Sequence, residues 1–247
     1  MSSIRIQITN KTYDAEHKPQ TPHQAIAELE FSVHSNQFVC LVGPSGCGKT
    51  TLLNMIAGLD QHFDGYIGTG STDTKPSIGY VFQTPRLLPW YDVRRNIELV
   101  FAHQPPSTLI DSLLESMQLL AVQHQYPERL SLGMQRRVAI IRAFAINPDI
   151  LLMDEPFVSL DAPTARQVRQ LLCALWQQRP HTVLFVTHDL REAIALADRL
   201  IFLSSAPMRI LGDISVDIQR DQRQTDANIE DFRMHLLQNH PEIGGLL

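Results

Sequence analysis

Apolar and polar positions alternate at the start of the chain. Ile4, Ile6 and Ile8 interleave with Arg5, Gln7 and Thr9, the two-residue period of a strand buried on one face. Residues 14–24 hold two prolines, charges and histidines and read as a loop. Phe31-Ser32-Val33 and Phe38–Val42 read as strands, the second running into a glycine-rich turn. Leu52, Leu53, Ile56 and Leu59 then recur at helical spacing, which predicts a helix over 51–59 with Gly58 as its stop. Residues 65–78 are turn-rich and suit a short antiparallel excursion before a strand at 78–82.

The pattern changes between 90 and 146. Helical periodicity covers 111–120 and 131–146, the latter stopped by Asn147-Pro148, so this stretch reads as a mostly helical insertion. Strand–helix alternation then resumes. An apolar run at 150–153 precedes a helix at 161–176 that Asp161 can cap, with Pro163 in its first turn. A β-branched and aromatic run at 182–186 precedes a helix at 190–200. Continuous apolar strands separated by helices predict an α/β fold with a parallel sheet covered on both faces. The last stretch, 213–247, is more polar, and Ile229, Phe232, Leu236 and Leu237 mark one face of a short helix docked on its own domain.

Composition narrows this little. The 247 residues are 44 % hydrophobic and 19 % charged, which excludes a disordered or collagen-like chain. Lys and Arg number 21 against 26 Asp and Glu, a net charge of −5, so the chain does not read as a dedicated nucleic-acid binder. No apolar run reaches the roughly 18 residues a membrane helix needs, and the first ten residues lack the apolar core of a secretory signal. A role at a membrane therefore calls for a spanning partner. Cys40, Cys47 and Cys173 have no spacing that suggests a disulfide framework or a zinc site and suit a reducing compartment.

The chemistry begins at Gly43-Pro44-Ser45-Gly46-Cys47-Gly48-Lys49-Thr50, which fits G-x-x-x-x-G-K-[ST] between a strand and a helix. Glycines let the backbone wrap so that its N–H groups face phosphate oxygens, and the helix start adds partial positive charge. Lys49 suits the β- and γ-phosphates, and the Thr50 hydroxyl suits Mg²⁺. Thr51 continues the loop into the helix. Cys47 reads either as a thiol activated by the helix end or as a small filler. Farther on, 150–153 ends in Asp154-Glu155. Asp154 suits a Mg²⁺ holder, Glu155 a group that orients or deprotonates water, and an acidic turn after a buried strand is the plain alternative. His188 likewise follows a buried strand, unlike His17, His62 and His103, which read as surface groups.

With these motifs in order, the chain resembles the nucleotide-binding subunits of ATP-binding cassette transporters. The resemblance rests on 43–50, on Gln83 at a strand end, on Leu130-Ser131-Leu132-Gly133-Met134 opening a helix, on 150–155, on Ser159-Leu160-Asp161 and on Thr187-His188-Asp189. It implies a P-loop NTPase fold of the RecA-like type, with a parallel-sheet core, an antiparallel β subdomain and an inserted helical subdomain. The implied layout is one domain over 1–247: core 1–86 and 147–212, helical part 87–146, tail 213–247. It implies ATP and Mg²⁺ as ligands and a head-to-tail homodimer. Lys49, Thr50, Gln83, Asp154, Glu155 and His188 of one copy would then hold Mg-ATP, and Ser131 and Gly133 of the other close over the γ-phosphate. Tyr13 aligns with the aromatic that stacks on adenine, or is simply a strand-end tyrosine packed on the sheet; Gln83 aligns with the sensor of Mg²⁺ and water, and Asp161 with the residue that touches the opposite subunit. Permease subunits and, indirectly, a substrate-binding protein would be partners, at the cytoplasmic side of the inner membrane.

The chain departs from the family's Leu-Ser-Gly-Gly-Gln at Leu132 and Met134. If the Leu132 position required positive φ, leucine would cost roughly 1–2 kcal/mol. Arg136, Arg137 and Arg142 on the same helix read as added positive potential or as a solvated face. The segment Pro85-Arg-Leu-Leu-Pro-Trp90 is similar to cassettes of nitrate, taurine and aliphatic sulfonate importers, and Leu87, Leu88 and Trp90 offer a socket for a membrane partner or cover for the insertion's own core. The function implied is an ATPase powering such an importer. A non-transport ATPase of the same family, a regulatory ATP-binding module and a P-loop kinase are the alternatives.

Overall fold

The structure is a computed structural model and describes residues 4–13, 23–69 and 76–245. In chain order its strands and helices are β1 (Ile4–Tyr13), β2 (His23–Val33), β3 (Phe38–Val42), α1 (Lys49–Ile56), β4 (Asp64–Thr69), β5 (Ile78–Val81), α2 (Val93–Glu98), α3 (Ser107–Ser116) and α4 (Leu132–Ala145). There follow β6 (Ile150–Asp154), α5 (Ala162–Gln178), β7 (Thr182–Thr187), α6 (Leu190–Leu196), β8 (Arg199–Leu203), β9 (Ile210–Ser215), α7 (Asp226–Asn239) and α8 (Pro241–Gly244). They divide into two compact units, Met1–Thr74 with Thr182–Leu247, and Lys75–His181.

In the first unit β2, β1 and β4 form an antiparallel sheet in that order. The alternation at Ile4, Ile6 and Ile8 is reproduced as buried positions between exposed ones. The expected loop at 14–24 is shorter at its end: His23 and Gln24 already belong to β2, and 14–22 lie outside the described residues. Alternation fails in β2 because Ala25, Ile26 and Ala27 are all buried. Their backbone meets Met208, whose N–H donates to the Ala25 carbonyl at 2.8 Å and whose carbonyl accepts the Ala27 N–H at 3.1 Å.

The apolar strand β3 lies between β7 and β8, parallel to both, with β9 antiparallel on the far side of β8. The helix expected over 190–200 stops at Leu196, and the apolar run 200–203 is a strand. Periodicity alone does not separate a short buried strand from a buried helix segment. The tail docks on its own unit. Arg223, itself buried, donates to the carbonyls of Ala197 (2.5 Å), Ile218 (2.6 Å) and Val216 (3.1 Å), so it satisfies an acceptor at the end of α6. Ile229 and Leu236 of α7 are buried, and α7 packs on α6.

In the second unit β5 and β6 pair in parallel, and α4 packs against β5, α2, α3 and α5. A Cβ on Gly79 of β5 would fall 2.5 Å from the Ala143 carbonyl oxygen of α4, so glycine sets how closely strand and helix approach. Helix α2, not expected from the sequence, has six residues and is capped by Asp92, which accepts the Arg95 N–H at 2.7 Å. Buried Asn96 ties down the preceding loop, accepting from the Leu88 N–H and donating to the carbonyls of Leu88, Tyr91 and Asp92. On that loop Leu87 and Leu88 are half-buried while Trp90 is 65 % exposed.

Candidate nucleotide site

In the first unit two functional segments leave the same strand edge. Val42, the last residue of β3, is in register with Thr187, the last of β7, so Gly43 and His188 follow paired residues. The register alone brings the phosphate loop and the histidine together. The loop ends at Gly48, which has φ 106 and provides α1 with no side-chain cap. The first N–H groups of a helix have no acceptor within it, so α1 begins with donors and a partial positive charge. Gly46 has φ 78, and a Cβ built there would meet nothing within 4 Å; the loop opens outward at this point. Lys49 is buried and folds over its own loop, donating to the carbonyls of Gly43 (2.8 Å) and Pro44 (2.9 Å). Cys47 is buried beneath the loop, and a Cβ on Gly43 would fall 3.2 Å from its sulfur, a packing position.

Tyr13, at the end of β1, shares a 3.1 Å hydrogen bond with the hydroxyl of Thr51, two residues beyond Lys49. Its ring is 43 % exposed, and the Lys11 ammonium lies 4.6 Å from the ring centroid. An open aromatic face next to the start of α1 is what purine stacking needs.

The second unit repeats the arrangement with different groups. Val81 pairs with Met153, so Gln83 and Glu155 each lie two residues past a paired strand position. Asp154 is buried, and its charge, after burial itself, pushes the Tyr80 phenol well above its ordinary pKa. Glu155 is half-buried with φ 42, and Ser159 has φ 66. Left-handed backbone at a non-glycine residue is held only where its surroundings demand it, and it gathers at functional turns.

Ser131 is the N-cap of α4, its Oγ accepting the Met134 N–H at 3.3 Å. Leu132 is the first helical residue and is not among the positive-φ positions, so the strain considered for a leucine there does not arise. Gly133 has a packing reason to be glycine: a Cβ would fall 2.5 Å from the Thr164 methyl. Thr164 stands in the first turn of α5, where its N–H is accepted by the Asp161 carboxylate at 3.2 Å. The Thr164 hydroxyl first, and then this N–H, hold the Asp161 carboxyl below its usual pKa. The cap expected of Asp161 is present, with Pro163 in the first turn.

A family model described as ABC transporter matches residues 26–158. The chain belongs to the ABC transporter family. The cassette is 39 % identical to the nitrate import ATP-binding protein NrtD of Synechococcus elongatus, over 87 % of this chain and 82 % of that one. It is 38 % identical to an aliphatic sulfonates import ATP-binding protein SsuB of Bacillus cereus over 91 % of both chains, and 35 % identical to that of Bacillus subtilis over 95 % and 93 %. Among solved structures it is similar to the dimeric post-hydrolysis state of the ATP-binding cassette MJ0796 bound to ADP and Pi. There the TM-score is 0.74 and the identity 28 %, over 87 % of this chain and all of that one. No helix among the described residues is long and apolar enough to cross a membrane.

The arginines of α4 differ from either sequence expectation. Arg136 is 3 % exposed and donates to the carbonyls of Phe82 (3.2 Å) and Val158 (3.3 Å), the residues immediately before Gln83 and Ser159. Burial lowers its pKa, and its Nε has no hydrogen-bond partner. Arg142 donates to the carbonyls of Arg86 (3.0 Å) and Pro85 (3.1 Å). Arg86, at φ 48, lays its guanidinium 3.8 Å over the Phe82 ring. The loop carrying Gln83 is therefore strung between guanidinium groups. These arginines sit at helical spacing on a helix most of whose residues are buried, and nothing in the sequence separates them from surface residues.

Proposed function

We propose that this cassette is the ATP-hydrolysing subunit of an importer for nitrate-, sulfonate- or taurine-like or related small solutes. The observation that carries this reading is the 35–39 % identity to nitrate and aliphatic sulfonate import ATP-binding proteins over 87–95 % of the chain. The phosphate loop supports the nucleotide half of the proposal: open glycines, an uncapped helix start and a buried lysine are fitted to a polyphosphate.

In this reading Gly43, Pro44, Ser45, Gly46, Cys47, Gly48, Lys49, Thr50 and Thr51 cradle the phosphates, Tyr13 stacks on the base, and His188 contacts the γ-phosphate. If Mg²⁺ binds with the nucleotide, Gln83, Asp154 and the Thr50 hydroxyl would be its protein donors, oxygens of the kind magnesium prefers. Mg²⁺ would offset the charge that builds on the phosphate oxygens during transfer. Glu155, in the left-handed turn at the end of β6, accepts a proton from the attacking water. Ser131 and Gly133 of a second copy, with Asp161 at the junction, complete the pocket. The dimeric cassette structures similar to this chain support that part. ATP binding favours the closed pair and hydrolysis the open one, and that difference drives a permease between two states. The subunit then works as a peripheral protein at the cytoplasmic face of the membrane.

The test is reconstitution with a candidate permease and its substrate-binding protein. Phosphate release stimulated by nitrate, taurine or an alkanesulfonate is expected. A chain that hydrolyses ATP but neither binds a permease nor responds to any such solute overturns the import assignment.

A further inference from the structure

The turn carrying His188 is closed by two buried side chains to which no function has been given. Thr187, 1 % exposed, ends β7; Glu192, 9 % exposed, lies in the first turn of α6. The Thr187 hydroxyl donates to Glu192 Oε2 at 2.9 Å, and Thr187 Oγ1 in turn accepts the Asp189 N–H at 3.0 Å. Asp189 is the N-cap of α6 and accepts the N–H groups of Arg191 (2.8 Å) and Glu192 (3.4 Å). In an ordinary capping box the third helical residue reaches back to the N-cap N–H. Here a threonine hydroxyl is inserted between them, and the residue enclosed by the enlarged ring is His188. The backbone on both sides of the exposed imidazole is thereby tied to one buried carboxylate.

We propose that Thr187 and Glu192 are positioning residues for His188, fixing the turn from which it reaches the γ-phosphate. The inference rests on the role given to His188 above. Because Thr187 is in register with Val42, the same pair sets the height of His188 against Gly43, where the phosphate loop starts. The charges around this point are dense. Burial first, then Glu192 and Asp189, push the Cys40 thiol up, while Lys49 opposes them, so the charges of both carboxylates and of the phosphate-loop lysine are felt in the middle of β3. A carboxylate in this place holds a hydroxyl still without contacting the nucleotide.

The test uses the full-length chain with its permease, with phosphate release resolved into kcat and KM, and melting temperature measured in parallel. Thr187→Val removes both hydrogen bonds with little change of shape, and Glu192→Gln keeps an acceptor that Glu192→Ala lacks. Thr187→Val and Glu192→Ala are expected to lower kcat about tenfold or more, with KM within about threefold, and Glu192→Gln to recover most of it. In a His188→Ala background Thr187→Val should add nothing, since the group it positions is gone. Wild-type kcat in Thr187→Val, a further multiplicative loss in the His188→Ala background, or a fall in melting temperature with kcat unchanged overturns the proposal. Should Glu192→Ala not fold, the valine variant alone decides. Full turnover in His188→Ala instead overturns the role of the histidine, a separate outcome.

Discussion

The ends of β3 and β7 and the ends of β5 and β6 are built on one plan and furnished differently. In each pair, parallel strands in register release a functional segment from each strand. At the first edge the groups are backbone N–H donors, a lysine and a histidine, the helix start has no side-chain cap, and the left-handed positions are glycines. At the second they are two carboxylates and an amide, the left-handed positions are Glu155 and Ser159, and arginines hold the neighbouring carbonyls. The first edge suits holding an anion at little conformational cost. The second suits aiming a reactive group, and the fold tolerates strain there.

Variants sharpen this contrast. The largest effect is expected from Glu155→Gln: turnover falls by about 10²–10⁴ while nucleotide affinity stays within a few-fold, measured by phosphate release and by binding of a fluorescent ATP analogue. Comparable losses in both would erase the distinction between the edges. Lys49→Ala should do the reverse and weaken nucleotide binding about ten- to a hundredfold, through loss of a charged hydrogen-bond donor. Arg136→Met leaves two carbonyls unpaired, for about 1–3 kcal/mol in melting experiments, and should lower turnover with binding unchanged; Arg136→Lys should recover part of it. Ser131→Ala should lower stability by about 1 kcal/mol through loss of the cap at α4, with nucleotide binding by the isolated chain unaffected. Smallest is Leu132→Gly, expected to destabilise α4 by about 0.5–1 kcal/mol.

The sequence made the first edge easier to read than the second. A phosphate loop announces itself because glycines are needed at fixed positions and a strand and helix must flank it. Asp154 and Glu155 were legible as chemistry, but the left-handed backbone at Glu155 has no signature in residue type. The arginines of α4 were visible and misplaced, since their partners are carbonyls far away in sequence. Strand β8 and the 25–27 segment of β2 escaped for a different reason. Short runs buried on both faces carry no alternation, and Ala25, Ile26 and Ala27, which lie beside β1, are also tied to Met208, about 180 residues away. Tyr13 was singled out by resemblance alone; the structure adds that its hydroxyl is bonded to that of Thr51.

Leu132 occupies the opening turn of α4 in ordinary helical backbone, where most residue types are at home. Of the two adjacent family glycines, then, only the one at Gly133 is demanded by the architecture, through the methyl of Thr164. Searches that insist on a double-glycine signature will pass over cassettes like this one, whereas a pattern keyed to serine, any residue, glycine would retain them.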